Sequence, residues 1–147
     1  MTDDITIRPV TDKDLRALVD LWLACELTRP WNDPLDDITR ARASAEAEIL
    51  VAAAADGALA GSVMVGHEGH RAWMYYLAVS PALQGRGLGK RLVRAAEVWA
   101  AACGMPKMHL LIRPENDRVR AFYESIGYGE QKRVMMARWL DGRPLGD

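Results

Sequence analysis

One short segment limits this chain more than any other: Gln84-Gly85-Arg86-Gly87-Leu88-Gly89-Lys90, placed between a strand-like run (residues 74–79) and a helix-like run (residues 88–102). Glycines at alternate positions let the backbone turn tightly and approach a ligand without Cβ atoms in the way. The helix that follows offers N–H groups without intrahelical acceptors and a partial positive charge at its first turn. Arg86 and Lys90 add cations beside it. A pyrophosphate-bearing ligand suits such a loop.

Spacing excludes the two commonest phosphate loops. A Walker A loop requires Ser or Thr after Gly-Lys, but Arg91 follows Gly89-Lys90. The dinucleotide fingerprint requires G-x-G-x-x-G and an acidic residue about twenty positions on. Here the spacing is G-x-G-x-G, and the later region reads Met105-Pro106-Lys107.

With 147 residues, 50% hydrophobic and 27% charged, the chain has room for one domain with one developed core, expected to span 1–147. A formal charge of −1 gives no general attraction to nucleic acid or to an anionic membrane, and neither is expected as a partner. No apolar run reaches the length of a membrane span and the amino terminus begins polar, so the cytoplasm is the expected location. Cys25 and Cys103 lie in helical patterns and make no disulfide framework.

Ile5 and Ile7 alternate as a first strand, and Thr11 can cap a helix whose apolar stripe is Leu15, Leu18, Val19, Trp22 and Leu23. Asp33 followed by Pro34 predicts the start of a second helix. Residues 49–55 and 59–65 read as a hairpin around Asp56-Gly57, and residues 72–79 as the next strand. A loop helix follows, ending near Gly104. Met108, Leu110 and Ile112 alternate as a strand, and Asn116 or Asp117 caps a helix running to Ile126. Residues 128–140 read as strand. The layout is mixed α/β.

Gln84-x-x-Gly87-x-Gly89 after a strand resembles the pyrophosphate loop of the GCN5-related N-acetyltransferases (GNAT). Tyr75-Tyr76-Leu77-Ala78-Val79-Ser80-Pro81 resembles that family's central strand. Asn116-Asp117 with Ala121-Phe122-Tyr123-Glu124-Ser125-Ile126-Gly127-Tyr128 is similar to its later "N…FYExxGY" segment. The Arg29-Pro30-Trp31-Asn32-Asp33-Pro34 run and the Gly69-His70-Arg71 turn resemble the YpeA branch of small bacterial members. The resemblance implies an α/β (α+β, mixed-sheet) acyl-CoA N-acyltransferase fold, its central, mostly antiparallel sheet splayed in the middle and flanked by about four helices. Only a few residues separate Gly129 from Val134, fewer than in the family's final hairpin, so the last two strands are expected to be compressed or merged.

The resemblance further implies an acetyl-CoA-dependent N-acetyltransferase that transfers directly to a primary amine, on a small molecule or a protein. Acetyl-CoA would lie along Leu77, Ala78 and Val79, with the Val79 N–H as oxyanion donor, and on Gln84, Gly85, Arg86, Gly87, Leu88, Gly89 and Lys90. Asn116 contacts coenzyme A by resemblance, with helix capping as its alternative. Tyr123 is the implied acid for the departing thiolate. It lies off the stripe of Phe122 and Ile126, so Phe122 and Tyr128 are expected in the core.

The positions that carry a glutamate base in family members hold Leu111 and Trp73 here. Glu68 and His70 are the candidates taken forward as catalytic, with His67, Glu26 and Asp33 as others. Each also fits an ordinary turn or cap role. Arg29, Trp31, Asn32 and Asp33 combine stacking, amide and carboxylate chemistry suited to an acceptor lining. His67-x-x-His70 lacks further ligands at a convincing spacing, so no metal is expected. Neither cysteine is expected near the thioester, which disfavours a cysteine-linked route. Two readings stay open: the enzyme, and a non-catalytic acyl-CoA sensor or interaction module. A homodimer is compatible with either.

Overall fold

Apolar alternation and two tight turns lay the chain from Ala47 to Val79 out as three successive antiparallel strands. In the computed structural model, which describes residues 4–146, these are β2 (Ala47–Ala53), β3 (Leu59–His67) and β4 (Ala72–Val79). β1 (Thr6–Pro9) adds antiparallel to β2, and β5 (Met108–His109) adds parallel to β4, giving an open sheet in the order β1-β2-β3-β4-β5. The described residues form two compact units, one running to Leu111 and the other starting at Ile112.

Within the first unit the last five residues of β2, Ile49 to Ala53, are all buried, as expected of a strand covered on both faces. On one face lie α1 (Leu15–Ala24) and α2 (Pro34–Ala43); Leu18, Leu21, Trp22, Ile38 and Ala41 pack with Ile49, Val51 and Ala78. On the other lies α3 (Leu88–Ala102), which buries Leu88, Leu92, Val93, Ala96 and Ala100. Gly61 permits its close approach: a Cβ there would stand 2.7 Å from Ala78 O and 2.8 Å from Leu92 Cδ1.

Helix ends follow the residues that can satisfy free amides and carbonyls. Asp33 Oδ1 accepts from Leu35 N at 2.9 Å, and Pro34 opens α2. Thr11 and Asp14 form a capping box around a single 3₁₀ turn before α1. The paired Arg8 guanidinium, 2.7 Å away, holds the Asp14 carboxyl at about 2. α1 closes in a Schellman turn, with Leu27 N donating to Trp22 O and Glu26 N to Leu23 O. The residue in the left-handed position of that turn is Glu26, at φ 58.

The second unit holds α4 (Asp117–Ser125), capped by Asn116 Oδ1 on Val119 N at 3.3 Å. It ends in the same Schellman geometry, with Gly127 at φ 103. Residues 128–140 do not form the expected strands: none of them is helix or strand, and Val134, Met135, Met136 and Leu140 are exposed. Val134-Met135-Met136-Ala137 is a continuous apolar run rather than an alternating one. Strand propensity without a ladder partner supplies no hydrogen bonds.

β5 is also shorter than expected. Its ladder to β4 covers only Ala72↔Met108 and Trp73↔His109. β4 continues to Val79 while Leu110 and Leu111 lie outside any strand, so β4 and β5 part after Trp73.

Candidate active site

The parting of β4 from β5 leaves one edge of residues 74–79 unpaired by β5, directly before the glycine loop. Such an edge presents backbone N–H and C=O groups to an extended, amide-bearing ligand. On its other edge β4 pairs with β3, through Gly61↔Val79 and Ser62↔Ala78. Ser80 N donates to Ala60 O at 2.8 Å. Antiparallel pairs alternate between bonded and non-bonded, so Val79, one residue from that bond, turns its own N–H and C=O away from β3.

The Val79 carbonyl is fixed from two directions. Gln84 Nε2 donates to it at 3.0 Å and the Cys25 thiol at 3.3 Å. Gln84 therefore acts on the strand end rather than reaching outward. Cys25 corrects a sequence expectation: it stands beside the predicted thioester strand, not away from it. Burial pushes its thiol pKa up, the opposite of an activated nucleophile, so its role there is that of a donor.

Beyond Val79 a 3₁₀ turn (Pro81–Leu83) leads into Gly85 at φ +80 and Gly87 at φ +81, the latter capping α3. A Cβ at either glycine would meet nothing within 4 Å. The left-handed backbone, not crowding, is what calls for glycine there. Arg91 N, bonded to Gly87 O, is the first α-helical amide, so the amides of Leu88, Gly89 and Lys90 head the helix. Arg86 and Lys90 are exposed beside them. Arg91 is tied down, its guanidinium donating to Ile5 O at 3.1 Å.

β4 carries an irregularity midway. Met64 lies opposite Tyr75 and Ser62 opposite Ala78, so two residues, Tyr76 and Leu77, face the single Val63. The bulge places Tyr76 at φ 54 and packs it on the face covered by α1 and α2. Its ring stacks on Trp22 at 3.7 Å between centroids and 6° between planes. Its hydroxyl donates to Asp37 Oδ2 at 2.5 Å. Burial and the adjoining Asp37 carboxylate push its phenol pKa well above the ordinary range.

Glu68 and His70 do not join this end of the strand. They sit in the turn before Ala72, at the far end of β4; at about 3.3 Å per residue that is roughly 23 Å from Val79. Glu68 Oε1 accepts from His70 N and Arg71 N at 2.9 and 2.7 Å, and these amide bonds hold its carboxyl below the usual range. That is a charged turn cap, not a tuned base. His67 is likewise engaged in the turn, its Nδ1 accepting from Gly69 N.

Glu26, by contrast, directly follows Cys25, whose thiol meets the Val79 carbonyl, and is itself exposed. Arg29 Nη1 donates to the Glu26 and Thr28 carbonyls, Asn32 N donates to Arg29 O, and Trp31 is half-buried. With Asp33 capping α2, these residues build the α1–α2 connection.

In the second unit the helix face differs from expectation. Val119, Phe122, Tyr123 and Ile126 follow an i, i+3, i+4, i+7 stripe, with Tyr123 at its centre. Tyr123 is the buried residue of α4, 6% exposed, with Phe122 and Tyr128 edge-on to its ring, and burial pushes its phenol up to about 12. Asn116, by its bond to Val119, takes the capping alternative.

The acetyltransferase (GNAT) family model matches residues 15–128. An acetyltransferase of Yersinia enterocolitica is 39% identical over 134 residues, covering 91% of this chain and 94% of that protein. One from Pectobacterium atrosepticum is 41% identical over 122 residues, covering 83% and 86%. Among solved structures, the aminoglycoside acetyltransferase AAC(6')-Iy in complex with a CoA bisubstrate analog superposes with a TM-score of 0.78 at 21% identity, covering 92% of this chain and 97% of that one. A putative acetyltransferase from Agrobacterium tumefaciens superposes at 0.75 with 24% identity, covering 91% and 99%. With its open, parted sheet and helix-capping glycine loop, the chain belongs to the GNAT acetyltransferase family.

Proposed function

We propose that the protein moves an acetyl group from acetyl-CoA to a primary amine by direct attack within a ternary complex. The observation that carries this reading is the Val79 end of β4, where an unpaired strand edge runs straight into the glycine-capped start of α3. There the Gly85–Lys90 segment suits the pyrophosphate, and the open edge along Leu77–Val79, with the Val79 N–H turned away from β3 and its carbonyl already occupied, suits pantetheine. An outward Val79 N–H would polarise the thioester carbonyl as negative charge develops on its oxygen.

Attack by the neutral amine forms the C–N bond. Collapse breaks the C–S bond, the sulfur leaves as thiolate, and the amine nitrogen gives up a proton. Tyr123, by its place in the Phe122-Tyr123-Glu124 segment that resembles the family's, is the proposed donor to the thiolate. Glu26 is the proposed proton acceptor in place of Glu68 and His70, because it directly follows Cys25, whose thiol meets the Val79 carbonyl. The α1–α2 connection with Arg29, Trp31, Asn32 and Asp33 is the proposed acceptor lining, for a small-molecule or protein amine.

Coenzyme A release should be followed with acetyl-CoA and a panel of amino acids, polyamines and peptides. Turnover is expected on part of the panel. Tyr123→Phe should lower it by about a hundredfold while the dissociation constant for acetyl-CoA holds. Binding without turnover across the panel would replace the enzyme with the second reading, an acyl-CoA sensor.

A further inference from the structure

Among the described residues only two non-glycine positions have positive φ, Glu26 and Tyr76. Tyr76 sits inside the strand that the acyl-transfer reading assigns to the thioester. A left-handed non-glycine residue within a β-strand is strained and persists only where its surroundings hold it. Here the surroundings are fully specified. The ring lies flat on Trp22, itself completely buried. The Trp22 indole N–H donates to Ser62 Oγ at 2.9 Å, and Ser62 Oγ donates to the Tyr76 carbonyl at 3.0 Å. At the other end the phenol hydroxyl reaches Asp37 on α2, and Asp37 also pairs with Arg40.

The side-chain tip of Tyr76 is therefore bound to α2, and its carbonyl to Ser62 of β3, which Trp22 of α1 holds in turn. The next residue, Leu77, begins the stretch whose amides are proposed to meet the thioester. Resting on the acyl-transfer reading above, we infer that Tyr76 is a positioning residue: clamped by Trp22, Ser62 and Asp37, it sets the bulge that aims the Leu77–Val79 backbone at the acetyl carbonyl. Donor position matters steeply, since a displacement of about 1 Å in reacting geometry can change the rate about a hundredfold. The clamp also joins α2, which carries Asp37 after the acceptor-lining connection, to the strand that would hold the acyl donor.

The test uses the full chain with acetyl-CoA labelled with ¹³C at the carbonyl. The readouts are the bound carbonyl resonance, the acetyl-CoA dissociation constant by calorimetry, and kcat on the best amine of the panel. Tyr76→Phe keeps the stacked ring and removes the hydroxyl, and Asp37→Ala removes its acceptor. Both should shift the bound resonance toward that of free acetyl-CoA and lower kcat by about tenfold or more, with the dissociation constant changed by less than about threefold. Asp37→Asn, which retains an oxygen acceptor, should restore most of both.

If Tyr76→Phe and Asp37→Ala keep the wild-type resonance and kcat, the clamp is merely structural and the inference falls, whatever happens to their melting temperatures. Loss of acetyl-CoA affinity with kcat unchanged would overturn it as well. Failure of the wild-type chain to bind acetyl-CoA would instead sink the reading beneath it.

Discussion

The two ends of β4 are built on opposite plans. At the Ala72 end the strand has neighbours on both sides, β3 through Gly66↔Trp73 and β5 through Trp73↔His109. The turn before it is closed by its own residues, with Glu68 accepting from two amides. At the Val79 end one neighbour has gone. The strand is held instead by side chains from elsewhere: Gln84, Cys25 and, through the bulge, Trp22, Ser62 and Asp37. A fully paired strand end has little backbone left to offer. One whose second edge is left open, while its geometry is fixed by side chains, keeps backbone available for a ligand.

Glycine substitutions test that contrast most strongly. Gly61 faces Val79 and Gly66 faces Trp73 across the same strand pair. A Cβ at Gly61 would press on backbone and on Leu92 at under 3 Å, whereas one at Gly66 would meet Glu46 O at 3.3 Å. Gly61→Ala should destabilise by about 1–3 kcal/mol and Gly66→Ala by less than about 1, read from urea midpoints. Equal losses would mean that the loop end is no more tightly packed than the turn end.

Gly87→Ala and Gly69→Ala form the next pair. Both glycines have positive φ with open space around the Cβ position, so each change should destabilise by about 1 kcal/mol through backbone strain. Only Gly87→Ala should also weaken acetyl-CoA, by about tenfold in calorimetry, since only Gly87 heads α3. Parallel effects on affinity would erase the difference between the two ends.

The smallest effect is opposite in sign. Glu26 occupies the position in the α1 closing turn that Gly127 occupies in α4. Glu26→Gly should therefore stabilise the fold by about 0.5–1 kcal/mol in thermal melts while lowering amine turnover. Stabilisation with turnover unchanged would remove Glu26 from the chemistry.

Much of this was legible in the sequence. Loop spacing and flanking periodicity located α3 at residues 88–102, and Asp33-Pro34 and Asn116 marked the starts of α2 and α4, because capping and turn chemistry act over a few residues. The tail departs from the expected strands because strand propensity is local, whereas a ladder needs a partner. Phe122 and Ile126 alone place Tyr123 off the apolar stripe, whereas adding Val119 centres that stripe on Tyr123. The Cys25–Val79 bond joins residues 54 positions apart, and no local pattern encodes it.

The Cys25–Val79 bond also bears on the order in which the molecule assembles. The hairpin turn at the other extremity of β4 closes over a handful of residues, whereas this tie must first bring together distant stretches of polypeptide. Loop-closure entropy rises with that separation, so the hairpin should close before the Cys25 tie forms. The turn end of β4 can therefore be set before the carbonyl at its proposed acyl-carrier end is fixed.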